Sequence, residues 1–230
     1  MSDNASSNRP PELRPGIRIA NDGPYFVSGE VALTVRTRLL DDHGEAIAWA
    51  SGETRPAQAT YVLCRCGHSG DKPFCDGTHR KIGFDGRCTA DRAPGATRRK
   101  VYRGAGITMT DDESLCAGYA FCDPHGGVWK EIAATADPAV KERLQRQVAN
   151  CPSGRLQYTV DGASEPAEEY YPPTVATIPD GPLRVLGGVP VETSDGFRYE
   201  IRNRQLLCRC GGSQNKPFCD GSHGKLNFKS

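Results

Sequence analysis

The chain has 230 residues, 29 basic and 28 acidic side chains, and a formal net charge of +1. That near-balance supplies no global field for nucleic acid or an anionic membrane, and no apolar run approaches the roughly 20 residues a membrane span needs. The polar start Met1–Asn8 lacks the apolar core of a secretion signal, so we expect a cytoplasmic protein whose ten cysteines serve metal or redox chemistry rather than disulfides.

Along the chain, residues 1–16 hold Ser, Asn and three prolines and read as a disordered tail. A first unit, 17–95, opens on a strand predicted over Gly23–Val35 and turns at Asp41-Asp42-His43-Gly44. It ends in Leu63-Cys64-Arg65-Cys66-Gly67 and Lys72-Pro73-Phe74-Cys75-Asp76-Gly77-Thr78-His79. A different segment, 96–162, starts near Arg98-Arg99-Lys100, which reads as a solvated loop. It predicts a strand at Ile107–Met109 and another at Leu156–Val160. Asp137 as cap, Pro138 in the first turn, and Val140, Leu144 and Val148 on one face predict a helix ending near Asn150. Residues 163–180, rich in proline and in Glu165, Glu168 and Glu169, read as a linker.

The last unit, 181–230, repeats the first. Gly181-Pro182-Leu183 echoes Gly23-Pro24-Tyr25, and a hairpin is predicted from Val189–Val191 through Ser194-Asp195-Gly196 to Phe197–Ile201. Then Leu207-Cys208-Arg209-Cys210-Gly211 and Lys216-Pro217-Phe218-Cys219-Asp220-Gly221-Ser222-His223 repeat the first motif 144 positions on. Both copies are C-x-C-x8-C-x3-H. Cysteine and histidine in this pattern bind zinc or an iron–sulfur cluster. Structural zinc sites more often use C-x2-C or longer, which wraps the backbone around one ion. A two-iron cluster is wider. One iron can take the close cysteine pair, and the other Cys75 with His79, or Cys219 with His223. Asp76 and Asp220 suit the start of a helical turn, and Gly77 and Gly221 permit close backbone approach.

Cys75-Asp76-Gly77-Thr78-His79 and Cys219-Asp220-Gly221-Ser222-His223 resemble the signature of the CDGSH iron–sulfur proteins, the mitoNEET family. The likeness includes Lys-Pro-Phe before the third cysteine and Phe84 or Phe228 after the histidine; Thr78 in place of Ser keeps the hydroxyl. The resemblance implies two [2Fe–2S] clusters, one held by Cys64, Cys66, Cys75 and His79 and the other by Cys208, Cys210, Cys219 and His223. It also implies a small, β-rich α+β fold with β-cap strands over cluster-binding loops. Two motifs in one chain then suggest a monomer in which an internal pseudo-twofold replaces a dimer axis.

Cys116-Ala117-Gly118-Tyr119-Ala120-Phe121-Cys122 with Cys151-Pro152-Ser153-Gly154 resembles a divergent single-cluster ferredoxin-like domain found beside CDGSH motifs in some bacterial proteins. Tyr119 stands where an ordinary ferredoxin has its middle cysteine. Cys116, Cys122 and Cys151 could hold a third cluster, [3Fe–4S] or [4Fe–4S] with one non-cysteine ligand, or be a packed or disulfide-bonded remnant. Cys88 is read as a buried or incidental thiol and His43, His68 and His125 as loop residues, with His68 near the first site.

The function expected is an electron carrier or cluster donor, not an enzyme, acting on a redox or apo-acceptor protein. A redox or iron sensor and a cluster-based oxidoreductase are the alternatives. No nucleotide loop or nucleophile–base pair is present in the sequence. Because an imidazole ligand can be protonated, acid-labile clusters with pH-dependent potentials are expected. Lys72, Lys81, Lys216 and Lys225 are either potential-raising charges or solubilising side chains.

Overall fold

The computed structural model describes residues 14–230, so the expected tail lies almost wholly outside the described residues. The first unit contains β1 (Gly16–Ile19), β2 (Tyr25–Ser28), β3 (Ala32–Leu40), β4 (Ala46–Arg55), β5 (Thr60–Leu63) and the short α1 (Thr78–Lys81). The middle segment has β6 (Lys100–Gly104), β7 (Ile107–Asp111), α2 (Val128–Glu131), α3 (Pro138–Asn150) and β8 (Leu156–Val160). The rest forms β9 (Thr174–Thr177), β10 (Leu183–Leu186), β11 (Val191–Glu192), β12 (Arg204–Leu207) and α4 (Ser222–Lys225). The protein is thus mixed α+β and strand-rich, with small sheets.

Three expectations need correction. The strand expected over Gly23–Val35 is two strands. Gly29 and Glu30 adopt left-handed φ values of 85° and 55° and turn the chain between β2 and β3. The stretch read as a linker contains β9, whose β-branched residues suit a buried strand. Its prolines, Pro172, Pro173 and Pro179, flank the strand, where no ladder hydrogen bond is lost. The hairpin expected after Gly181 shrinks to β11 and one bridge between Glu192 and Arg198.

The two outer units exchange strands. One sheet runs β11-β1-β2-β5 and the other β12-β10-β9-β3-β4. In the first, Ile17 of β1 pairs in parallel with Val191 of β11; in the second, Leu33 of β3 pairs in parallel with Val175 of β9. Ile17 and Val175 each stand six residues ahead of their Gly-Pro pair, and Leu33 and Val191 hold equivalent later positions. Both units therefore share one core, in which Ile17, Val27 and Leu63 meet Val175, Val185 and Leu207. Each such side chain contributes about 1.5–3 kcal/mol on burial.

The middle segment has its own antiparallel sheet, β6-β7-β8, and its own core around Ile107, Met109, Leu144 and Val148. Helix α3 starts as the sequence predicts: the Asp137 carboxylate accepts the Ala139 amide at 2.8 Å. Its end is closed from another unit. Arg204 of β12, 1% exposed, donates to the carbonyls of Val148, Ala149 and Cys151 at 2.9, 2.8 and 2.6 Å. The same guanidinium holds Glu168 at 2.8 Å. The carbonyls at a helix end are short of partners within the helix, and here Val148 O also accepts a capping amide, that of Cys151 at 3.1 Å; Arg204 thus joins the middle segment to the strand that leads into Cys208.

Candidate metal centres

The C-x-C spacing works through strand alternation. Successive extended residues point to opposite sides. Cys64 and Cys66 therefore face one way, with sulfurs 3.8 Å apart, and Cys208 and Cys210 repeat this at 3.7 Å. The intervening arginines point inward. Arg65 donates to the carbonyls of Gly23 and Ala20 at 2.7 and 3.1 Å, and Arg209 to those of Gly181 and Ile178 at 2.9 and 2.8 Å. Each also lies over an aromatic ring, Phe84 and Phe228, at 5.3 Å. The sequence reading missed these buried guanidiniums. They place positive charge behind each cysteine pair.

The chain then folds back on itself. The Cys64 amide donates to Pro73 O at 2.8 Å and the Cys75 amide to Val62 O at 3.0 Å. The second copy does the same, Cys208 to Pro217 and Cys219 to Leu206, at 2.8 and 2.9 Å. This return brings the third cysteine beside the first pair. Gly77 and Gly221 follow with φ of 88° and 85°, a left-handed turn that a side chain would strain. The turn delivers His79 Nδ1 to 3.4 Å from Cys75 Sγ, and His223 Nδ1 to 3.4 Å from Cys219 Sγ. Asp76 braces the turn by accepting the amides of Gly70 and Thr78 at 2.8 and 2.9 Å, which hold its carboxyl well below the usual range.

The ligands are thus arranged as pairs: two sulfurs, then sulfur and imidazole. Among the described residues, no three His, Cys, Asp or Glu side chains converge on a single ion position. Burial pushes the Cys66 thiol up to about 11 and that of Cys219 up to about 12. The hydrogen bond between Cys208 and Cys210 pushes Cys208 down and Cys210 up. Metal binding must displace such protons. Burial also lowers His223, favouring the neutral imidazole that a metal needs. Donor chemistry, pairing and burial at each site fit a two-iron cluster, which Cys64, Cys66, Cys75 and His79 would hold in the first copy and Cys208, Cys210, Cys219 and His223 in the second.

The two sites abut. A side chain on Gly67 would lie 2.7 Å from Cys210 O, and one on Gly211 would lie 2.6 Å from Cys66 O. Only glycine lets the loops cross this closely, and both glycines have left-handed φ. Lys72 Nζ reaches to 6.0 Å above the ring of Phe228. The Tyr25 hydroxyl donates to Cys208 O at 2.7 Å.

The structure also brings Cys116, Cys122 and Cys151 together. All three line one small hollow, alongside Tyr119, Phe121 and Arg155. Cys116 is exposed, Cys122 half-buried and Cys151 buried. Burial, reinforced by Asp123, raises the Cys122 thiol well above its ordinary value. None of the ten cysteines is disulfide-bonded in the structure. Cys88 packs half-buried against the shared core, with Arg65 Nη1 at 3.8 Å. His68 Nδ1 lies 2.8 Å from Cys66 O, beside the first site as expected. His43 lies in the Asp41 turn, and His125 occupies a left-handed position in a short 3-10 turn. Among the described residues, no helix is long and apolar enough to cross a membrane.

Comparison with known families agrees with this geometry. Residues 22–80 and 180–224 match the family described as iron-binding zinc finger, CDGSH type. Residues 102–161 match the family described as divergent 4Fe-4S mono-cluster. No curated protein matches the chain significantly. The chain therefore carries two segments similar to the CDGSH type, with a segment similar to the divergent 4Fe-4S mono-cluster type between them.

Proposed function

We propose that the chain holds a [2Fe–2S] cluster at each CDGSH site and acts in electron transfer or in transfer of the clusters themselves. The observation that carries this reading is the two-plus-two ligand geometry, present twice with nearly the same distances. When bound, each cluster accepts and returns single electrons, and its histidine ligand makes it acid-labile. The residues of this chain set the conditions. Arg65 and Arg209 supply positive charge behind the thiolates, and burial of Cys64, Cys66, Cys208 and Cys210 keeps water from the inner ligands.

An internal pseudo-dimer accompanies this reading, supported by the reciprocal β1–β11 and β3–β9 pairs and by the matched contacts of Gly67 and Gly211. A monomer in the cytoplasm, working with a redox or apo-acceptor protein, goes with it. The sulfur-lined hollow supports a third centre, of four-iron type, at Cys116, Cys122 and Cys151, with its remaining ligand from outside the cysteines.

Iron and acid-labile sulfide counts on anaerobically purified protein test this. The two CDGSH sites should bring about four iron per chain, with more if the third centre is filled. Zinc without sulfide overturns the proposal. His79→Cys and His223→Cys should each slow bleaching of one cluster in acid; unchanged bleaching counts against imidazole ligation.

A further inference from the structure

The two CDGSH sites have the same ligands but different roofs. The Cys116–Cys122 loop covers the second site alone. Its Tyr119 ring stacks on His223, with centroids 6.1 Å apart and planes 29° from parallel. A side chain on Gly221 would come within 3.3 Å of Ala117 O, and Asn215 Nδ2 donates to Ser114 O at 2.7 Å.

Tyr119 is itself held in place. The Trp49 ring lies 5.6 Å away, and the Arg38 guanidinium sits 5.8 Å from the Tyr119 centroid while Nη1 donates to Tyr119 O at 3.0 Å. Trp49 is fixed in turn by Phe121 at 5.0 Å and by its Nε1–H, which donates to Asn150 O at 3.0 Å. Arg38 and Trp49 come from β3 and β4, the long hairpin of the first unit. The last unit has only the Ser194-Asp195-Gly196 turn at that position, so nothing equivalent reaches His79. Both histidines border a groove, but the one at His223 is walled by Tyr119 and Arg38, whereas the one at His79 is lined by Asn21, Asp22, Phe26, Arg80 and Phe84 with, among the described residues, no aromatic ring stacked on the imidazole. Cys75 is half-buried, whereas Cys219 is 2% exposed.

We infer that Tyr119, clamped by Trp49 and Arg38, is a positioning residue for the His223 imidazole, and that it makes the two CDGSH sites inequivalent. The second site is the shielded one. The first, through His79 and its groove, is the face that exchanges with the outside. This inference rests on the two-cluster reading above. An aromatic face against the imidazole restricts rotation of the ring and excludes water from the side on which the ligand would depart.

The test compares the loaded full chain with Tyr119→Ala, Tyr119→Leu and Tyr119→Phe. Pulsed EPR of the reduced protein reads the histidine nitrogen couplings, and an iron chelator strips the clusters while the two-iron signal is followed. The unsubstituted chain should show two distinct nitrogen couplings and two phases of loss, the second about tenfold slower, as the contribution of an aromatic contact implies. Tyr119→Ala and Tyr119→Leu should change one coupling only and merge the phases. Tyr119→Phe, which keeps the ring, should retain both features. Trp49→Ala should act in the direction of Tyr119→Ala. If both clusters are present but the couplings coincide, or if Tyr119→Ala and Tyr119→Leu leave both unchanged or alter both, the inference is overturned while the two-cluster reading stands. A chain without two-iron clusters overturns both.

Discussion

The first and second CDGSH sites agree in ligand spacing to about 0.1 Å, yet they differ in what surrounds them. Local sequence sets the agreement: alternation at C-x-C, the fold-back of Lys-Pro-Phe-Cys, and the left-handed glycine before the histidine. Insertions elsewhere set the difference. A long hairpin and a whole middle segment press on the second site, while the first faces solvent. A motif can therefore fix the coordination chemistry of a site without fixing its accessibility.

The largest expected effect comes from removing a ligand. Cys66→Ser and Cys210→Ser should each lose one cluster and several kcal/mol of stability, because the ligands fold around the metal. Iron counts and thermal unfolding check this. Loss of both clusters from either change would mean that the sites are not separately built.

Next is Arg204→Ala. It strips three helix-end carbonyls and Glu168 of their buried partner, and should cost about 3–5 kcal/mol. Its counterpart in the first unit, Thr60, is exposed, so Thr60→Ala should stay within roughly 0.5 kcal/mol. Denaturant unfolding of both variants measures the asymmetry directly. Equal losses would contradict it.

Tyr25→Phe removes the hydroxyl that reaches Cys208 O, and should cost about 1 kcal/mol. The second unit has Leu183 at this place, so no reciprocal bond exists to compensate. The smallest effect is on pH dependence. Burial pushes the Glu168 carboxyl up, but Arg204, Asn203 and Gln157 together hold it below its ordinary value of 4.5. A depressed carboxyl stabilises the fold above pH 4.5, and this contribution is lost as pH falls through the lower folded-state value. Glu168→Gln should flatten the stability–pH curve below pH 4.5; an unchanged curve would remove Glu168 from the account.

Much of the site was legible in the sequence. The repeated cysteines and histidines are close in the chain, and their geometry is set within a few turns, so spacing alone indicates that they lie together, as the structure has them. The cap at Asp137 and the face of Leu144 and Val148 were legible for the same reason. The strand exchange was not, because β9 lies among prolines that read as linker and its partner β3 is far away in sequence. Arg65 and Arg209 were hidden between the cysteines they support, since a charged residue in a loop gives no sign of burial. The stack of Tyr119 on His223 depends on Trp49 and Arg38 from a distant hairpin, and only the folded chain brings them together.

Mössbauer spectroscopy of iron-labelled protein tests the central claim most directly. The account predicts spin-coupled ferric pairs whose two irons differ, one bound by sulfur alone and the other with a nitrogen ligand. Isolated single irons at the CDGSH sites, or pairs with indistinguishable irons, would contradict it.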